Sequence, residues 1–204
     1  MFTLRTLLEG KWPILILVLL GIAGWLWFKP VVAVCLLLLV FTISFFRDPT
    51  RVIPPDPKDI VSPADGKVVE ITPVEGGTMV AIFLSVFNVH TQRAPIAGTI
   101  TSVSYHPGKF LDVRNPKSSA ENENRVVLIT GADGYRVKVR QIAGLIARRI
   151  VGWKHEGDRV EKGEHIGMIR FGSRVEITVP TGAAIVVKLG ETAKGGETIV
   201  ARRN

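Results

Sequence analysis

The segment RVEITV at residues 174–179 alternates polar or charged residues with β-branched apolar ones, which is the pattern of a strand with one buried face. Segments of similar character lie at residues 68–71, 79–84, 126–129, 137–140 and 184–187, with glycines between them. After residue 60, apolar residues at helical spacing recur only near residues 142–150. The sequence therefore predicts a mainly β fold, a flattened antiparallel β-sandwich, for this part of the chain.

Two pairs of segments within this β region resemble each other. Residues 157–166 line up with residues 190–199, and residues 63–68 line up with residues 95–100. Repeated hairpins of this kind are typical of β-sandwiches of the biotinyl and lipoyl type. This likeness concerns the fold alone and carries no function.

The N-terminal region has a different, continuously apolar character. Residues 12–28 and residues 30–46 are uncharged runs of 17 residues each. As a helix, each run would be about 26 Å long, slightly shorter than the roughly 30 Å hydrocarbon core of a bilayer. Residues 1–47 are therefore predicted to form a membrane-associated helical hairpin turned at Lys29-Pro30, which either spans the bilayer or dips into one leaflet. A buried two-helix element of a soluble core is the alternative.

Charge and proline content indicate how the hairpin connects to the β region. Arginines and lysines stand before the first apolar run and after the second, which favours a cytoplasmic location for both ends at the cell membrane. Four prolines within residues 48–59 predict a stiff linker. Residues 60–204 then form the separate β domain, which is long enough to bury its own core.

Composition excludes several classes of function. The net charge is +8, but the β region lacks a basic patch interleaved with aromatic residues, so anionic lipid is a better partner for this charge than nucleic acid. The chain has four histidines and one cysteine, Cys35, which makes a structural zinc site improbable, and no metal site is expected. Motifs of zinc peptidases, P-loop proteins and dinucleotide-binding proteins are absent.

A glycine–serine pair, Gly172-Ser173, directly precedes the strand at residues 174–179. Taken alone, such a pair is most often only a turn. Four further motifs precede it in the chain: FRDP at residues 46–49, SPADG at 62–66, FLSVFNVH at 83–90 and NENR at 122–125. In this order, behind an apolar N-terminus, the motifs resemble those of short-type phosphatidylserine decarboxylase proenzymes, and the resemblance runs from about residue 46 to residue 187.

The resemblance implies a self-processing enzyme. In that family the serine hydroxyl, here Ser173, attacks the carbonyl of the preceding residue, here Gly172, and the chain is cleaved between them. The larger chain, residues 1–172, and the smaller chain, residues 173–204, would remain together as a heterodimer, and further assembly is left open. Ser173 would become a pyruvoyl group, the only cofactor expected, and form a Schiff base with phosphatidylserine. The products would be phosphatidylethanolamine and CO₂, a lyase reaction of phospholipid biosynthesis.

Asp65 and His90 correspond to further catalytic residues of the family. Long-type members carry a second histidine three residues after the first, and here that position holds Arg93. Arginine is always protonated in proteins and cannot act as a general base. The hypothesis is that His90 serves both stages, paired with Asp65 during maturation and donating a proton during turnover. Without the family, Asp65 reads equally well as a turn residue before Gly66, and His90 as a histidine at a strand end.

Two other functions compete with this interpretation. The first is a membrane-anchored binding module of the lipoyl or biotinyl type without catalysis, which would need a modified lysine at a hairpin tip. No Met-Lys-Met-like tip is present. The second is a membrane-bound metallopeptidase, which would need a set of His and Asp ligands that four scattered histidines hardly provide.

Overall fold

The structure of the protein is a computed structural model. The structure describes residues 3–112, 115, 117–145, 149–170 and 173–203. The chain divides into two compact units, residues 1–50 and residues 51–204.

The first unit is a pair of helices. Helix α1 spans Leu4–Trp27 and helix α2 spans Lys29–Phe45. The hydroxyl oxygen of Thr3 accepts a hydrogen bond from the backbone N–H of Thr6 and so caps α1, while Pro30 lies in the first turn of α2, where no N–H is needed. The two helices pack closely, and Gly21 of α1 lies against Cys35 of α2.

Apolar side chains on these helices lie mostly at the surface of the unit. Within the described residues, α1 is the one helix long and apolar enough to cross a membrane, and α2, with 17 residues, is shorter. Only 11% of the most apolar 18-residue stretch of α1 is buried, and Trp25 and Leu37 are 66% and 70% exposed. So much exposed apolar surface favours association of this unit with a membrane. Helix α1 exceeds its apolar run because it continues past Lys11 to the Thr3 cap.

The second unit consists mainly of short strands, and its described residues include one helix, α3, at Ser118–Glu121. The strands are β1 (Asp59–Val61), β2 (Gly66–Val74), β3 (Gly77–Leu84), β4 (Thr91–Arg93), β5 (Gly98–His106), β6 (Asn124–Thr130), β7 (Arg136–Ile142), β8 (Ile150–Gly152), β9 (Arg159–Val160), β10 (His165–Ile169), β11 (Ser173–Pro180), β12 (Ala184–Ile185), β13 (Thr192–Ala193) and β14 (Ile199–Arg202).

These strands form three antiparallel sheets in the described part of the chain. The large sheet has the order β13-β2-β3-β11-β7-β6-β5-β9, and two smaller sheets have the orders β4-β10-β8 and β1-β14-β12. The inner positions of the large sheet, among them Val80, Val127 and Ile177, join residues of the small sheets, such as Ile166 and Val200, in one buried core. The predicted mainly antiparallel β fold behind an apolar N-terminal helix is confirmed, whereas the likeness to lipoyl domains remains a prediction.

The sequence repeats form two copies of the same pattern of strand pairing, and neither copy is a hairpin. Strands β1 and β2 pair with β14 and β13, and the equivalent strands β4 and β5 pair with β10 and β9. The copies also contact each other reciprocally, because the Val61 N–H donates to the Pro95 carbonyl and the Arg93 N–H donates to the Pro63 carbonyl. Each repeated segment therefore connects two different sheets, and its two strands do not pair with each other.

Residues 51–58 lie along the β unit. The Val52 N–H donates to the Glu197 carboxylate, and the Lys162 ammonium donates to the Asp56 carbonyl. Ile53 packs against Gly163 and Gly196, which occupy equivalent turns of the two copies. This stretch is thereby fixed to the β unit by side chains on both copies of the repeat.

Candidate active site

The motifs at residues 62–66, 83–90 and 122–125 meet Ser173 at one end of the large sheet. In the observed register Ser173 lies opposite Leu84, Arg174 lies opposite Ile142, and Ile142 lies opposite Asn124. Strand β2, which starts at Gly66, runs beside the end of β3. Because neighbouring strands are antiparallel, the starts of β2, β6 and β11 and the ends of β3 and β7 lie at the same end of the sheet. This end, called the Ser173 end below, brings together motifs that are far apart in the sequence.

Ser173 is the first residue of β11 and its side chain is fully buried. Side chains alternate along a strand, so Ser173 faces the core with Val175 and Ile177, while Arg174 and Glu176 face the opposite side. The Ser173 Oγ has no hydrogen-bond partner among the residues that the structure describes. Leaving a buried hydroxyl unpaired costs stability, so such a group calls for a functional explanation. Gly172, on the other side of the predicted cleavage position, lies outside the described residues.

His90 is also fully buried, and its ring orientation is fixed by a neighbouring carbonyl. The Nδ1 atom lies 2.9 Å from the backbone oxygen of Asn88. A carbonyl oxygen can only accept, so Nδ1 must carry the proton of the bond, and in the neutral ring Nε2 is then the basic nitrogen. The Asn88 side chain in turn accepts from the N–H and the hydroxyl of Ser85, both at 2.8 Å, which fixes the loop after β3.

The backbone of His90 lies beside the segment that leads to Ser173. The Ile169 N–H, at the end of β10, donates to the His90 carbonyl at 3.3 Å. Strand β4, which begins directly after His90, pairs with β10. The pairing of β4 with β10 thus connects the histidine motif to the chain just before the predicted cleavage position.

Asp65 is held by an arginine rather than by a histidine. Both carboxylate oxygens accept from the Arg51 guanidinium at 2.8 Å, and Oδ1 also accepts from the Gly195 N–H at 2.8 Å. The Arg51 and Asp65 side chains are only 6% and 14% exposed. Within the described residues Asp65 makes no hydrogen bond to His90, so the hypothesised Asp65–His90 pair is not formed in this structure.

Arg51 was missed in the sequence analysis as a site residue, although it stands two residues after the FRDP motif. We expect Arg51→Met to lower the free energy of unfolding by about 3 kcal/mol, because it leaves the Asp65 carboxylate buried without its cation. Arg51→Lys should lower the free energy of unfolding by less, since lysine keeps the positive charge although it lacks the planar guanidinium. Denaturant unfolding in detergent measures this difference. Equal stabilities of the wild-type, Arg51→Met and Arg51→Lys proteins would show that the ion pair between Arg51 and Asp65 contributes little.

Arg93 contacts the backbone of the β unit. It occupies the position where long-type members have their second histidine. Its side chain is nearly buried, and Nη1 donates to the Gly163 carbonyl at 2.9 Å. Its Cδ atom also packs near Gly196. Arg93 therefore connects β4 to the glycine turns of both copies of the repeat.

The opposite face of β11 carries a network of ion pairs. Arg174 bonds to Glu70 and Glu176, and Arg140 bonds to Glu176. The hydrogen bond from Arg174 holds the pKa of Glu70 below its usual value. These residues line a cleft of about 820 Å³. Within this network the two arginines offset the charges of the two glutamates.

Most of this chain is similar in sequence to known proteins, and the similar part includes the strands of the Ser173 end. A sequence profile described as phosphatidylserine decarboxylase matches residues 38–201. The chain belongs to the phosphatidylserine decarboxylase family. Two members are each named phosphatidylserine decarboxylase proenzyme. The protein of Nitratidesulfovibrio vulgaris is 49% identical over 181 residues, 85% of this chain and 83% of that protein. The protein of Oleidesulfovibrio alaskensis is 46% identical over 183 residues, 87% of this chain and 83% of that protein. The resemblance to phosphatidylserine decarboxylases is confirmed.

Proposed function

We propose that this protein decarboxylates phosphatidylserine to phosphatidylethanolamine and CO₂ with a pyruvoyl group made from its own Ser173. The observation that carries the proposal is the buried Ser173 hydroxyl, which has no hydrogen-bond partner among the described residues and lies where three motifs of the β unit meet. A core hydroxyl with no described partner fits a group that is consumed during maturation. The names of the related proteins, which are proenzymes, support the same function.

Maturation begins with attack of the Ser173 Oγ on the Gly172 carbonyl carbon. The peptide C–N bond breaks, and an ester replaces it. Loss of the Ser173 Cα proton and cleavage of the Cβ–O bond then release the Gly172 carboxylate and leave dehydroalanine. Hydrolysis of dehydroalanine, with loss of ammonia, gives the ketone. Two proton transfers from Ser173 are thus needed, and a serine hydroxyl is a weak nucleophile without a base.

His90 is proposed as the base. Since its Nδ1 hydrogen is committed to the Asn88 carbonyl, Nε2 is the ring nitrogen whose lone pair can accept a proton. Asp65, which is fixed by Arg51 and the Gly195 N–H, is proposed to supply negative charge at the same end of the sheet. The roles of Ser173, Gly172, His90 and Asp65 are thus assigned by chemistry and by family resemblance together.

The two chains produced by cleavage are proposed to stay together as a heterodimer. Strand β11, at the start of the smaller chain, lies between β3 and β7 of the larger chain. Strands β13 and β14 also pair with β2 and β1 of the larger chain. Separating the chains would break the central strand pairings of the large sheet and expose its core.

During turnover the pyruvoyl group supplies an electron-withdrawing carbonyl that bonds covalently to the substrate amine, so no metal or pyridoxal phosphate is required. His90, already held by Asn88, is proposed to return a proton to the substrate carbon that has lost CO₂. The buried side chains of Leu84 and Val175 keep water from this part of the core.

The helical unit is proposed to hold the enzyme at the cell membrane, where its substrate is found. Arg5 and Lys11 precede the apolar runs and Arg47 and Arg51 follow them, which favours the cytoplasmic side for the β unit. Anionic headgroups on that side attract the basic chain.

Mass spectrometry of the purified protein tests the proposal. We expect two chains, residues 1–172 and residues 173–204, and a smaller chain without a free terminal amine. The two chains should elute together in mild detergent and separate in denaturant. A binding module without catalysis would instead give one intact chain. An intact chain that still releases CO₂ from phosphatidylserine would overturn the pyruvoyl mechanism.

A further inference from the structure

Three buried polar side chains connect the NENR motif to His90. Arg125 donates from Nη1 to the Gln141 Oε1 at 2.8 Å, and Gln141 donates from Nε2 to the Gln92 Oε1 at 2.8 Å. Gln92 then donates from Nε2 to the His90 carbonyl at 2.7 Å. Gln92 and Gln141 are fully buried and Arg125 is 6% exposed. The three residues, called the Arg125 relay below, reach from β6 through β7 to β4.

The two ends of the Arg125 relay determine its direction. A guanidinium only donates hydrogen bonds, and a backbone carbonyl only accepts them. Each glutamine between them must therefore accept on the Arg125 side and donate on the His90 side. Reversing either amide would place two donors or two acceptors against each other. The orientation of both amides is thus a consequence of the chemistry at the two ends.

The backbone around the relay leaves no room for other side chains. A Cβ atom on Gly152 would lie 2.6 Å from the Arg125 Cζ, and a Cβ atom on Gly167 would lie 2.5 Å from the Val151 carbonyl and 3.0 Å from the Gln141 Nε2. The 2.6 Å and 2.5 Å distances are shorter than side chains tolerate, and the 3.0 Å distance is tighter than most Cβ contacts. Strands β8 and β10 can pack against the relay because these positions hold glycine.

The relay carries a buried positive charge that has no carboxylate partner among the residues that the structure describes. Within the described ranges the partners of the Arg125 guanidinium are the Gln141 amide and the Lys154 carbonyl, the latter at 2.6 Å. Burial lowers the pKa of this guanidinium from its usual value, although arginine remains protonated. Burying a charge without a counter-ion is unfavourable for folding, so stability alone does not account for Arg125.

We infer that Arg125, Gln141 and Gln92 are positioning residues that orient the His90 peptide beside the segment leading to Ser173. The His90 carbonyl accepts both the Gln92 amide and the Ile169 N–H, so the relay and β10 hold it from two sides. A fixed peptide plane sets where the imidazole projects. This inference rests on the role proposed above for His90.

Gln141→Glu tests the inference with almost no change in shape. A carboxylate at position 141 accepts from Arg125 and neutralises its charge, but it cannot donate to Gln92. The Gln92 amide must then reverse, and its oxygen faces the His90 carbonyl. We expect self-cleavage to slow about ten- to a hundred-fold, as misplaced catalytic groups do, and kcat of the matured fraction to fall with KM unchanged.

Stability should change in the opposite direction. Measured in a Ser173→Ala background, where no chain is cleaved, Gln141→Glu should keep or raise Tm because it supplies the missing counter-ion. Lys138→Gln, on the exposed side of the same strand, makes the same change of net charge and should process at the wild-type rate. A purely structural relay predicts the same Tm result but processing of Gln141→Glu at the wild-type rate, so the processing rate decides between the two.

The experiment separates failure of this inference from failure of the proposed function. If Gln141→Glu is cleaved at the wild-type rate while Ser173→Ala is not cleaved at all, only the positioning role is wrong. If Ser173→Ala is itself cleaved between residues 172 and 173, the proposed function is wrong and the inference fails with it.

Discussion

Ser173→Ala is expected to give a single intact chain that releases no CO₂ from phosphatidylserine. The methyl group cannot attack the Gly172 carbonyl, so neither the cleaved bond nor the ketone forms. The loss of cleavage and of CO₂ release should be complete rather than partial, because no other residue can become the pyruvoyl group. Gel electrophoresis of freshly expressed protein and CO₂ release from lipid vesicles measure the two effects.

Folding of the variant provides the control. Ser173→Ala removes a buried hydroxyl that has no described partner, so Tm of the uncleaved chain should be unchanged or higher. Ser173→Cys and Ser173→Thr keep a nucleophile and should be cleaved slowly. Normal cleavage of the alanine variant, or CO₂ release by the intact chain, would exclude self-processing at this position.

The sequence contained enough information to predict the strands and the family but only part of the site. Alternation identified β11 because its buried face is uniformly apolar from Val175 onward, which is the usual consequence of packing one side of a strand on a core. The helical unit was recognised from uninterrupted apolar runs. The pairing of repeats across different sheets was not predictable, because strand partners depend on contacts between residues far apart in the chain.

The internal repeat shows whether the turn before β2 needs the carboxylate of Asp65. The first copy has Pro63-Ala64-Asp65-Gly66, and the second has Pro95-Ile96-Ala97-Gly98. Strands β2 and β5 both begin at the glycine of these segments, so the turn forms with alanine as well as with aspartate. The carboxylate is therefore not needed for the turn, and its contacts with Arg51 and Gly195 indicate another reason for it.

The Arg125 relay could have been suspected from one irregularity in the sequence. In β7 the core-facing positions hold Val137 and Val139, and the next position in the same phase holds Gln141. A glutamine on the buried face of a strand needs buried partners. Its partners Gln92 and Arg125 lie on other strands, and only the three-dimensional arrangement identifies them.

His90→Ala should slow self-cleavage by about 10²- to 10⁴-fold, the usual contribution of a positioned general base. The reason is that Nε2 is the basic nitrogen of this ring when Nδ1 donates to the Asn88 carbonyl. The rate is measured from the disappearance of the intact chain after purification of the uncleaved form. Since alanine also leaves a cavity in the core, Tm must be compared in the Ser173→Ala background.

His90→Gln distinguishes loss of the base from loss of packing. The amide keeps most of the ring's volume and can still donate to the Asn88 carbonyl, but it has no basic nitrogen. It should therefore retain stability and remain as slow in cleavage as the alanine variant. His155→Ala, which removes an 84% exposed ring, should be cleaved normally. If both His90 variants matured at the wild-type rate, another group would have to activate Ser173, and His90 would be restricted to proton donation during turnover.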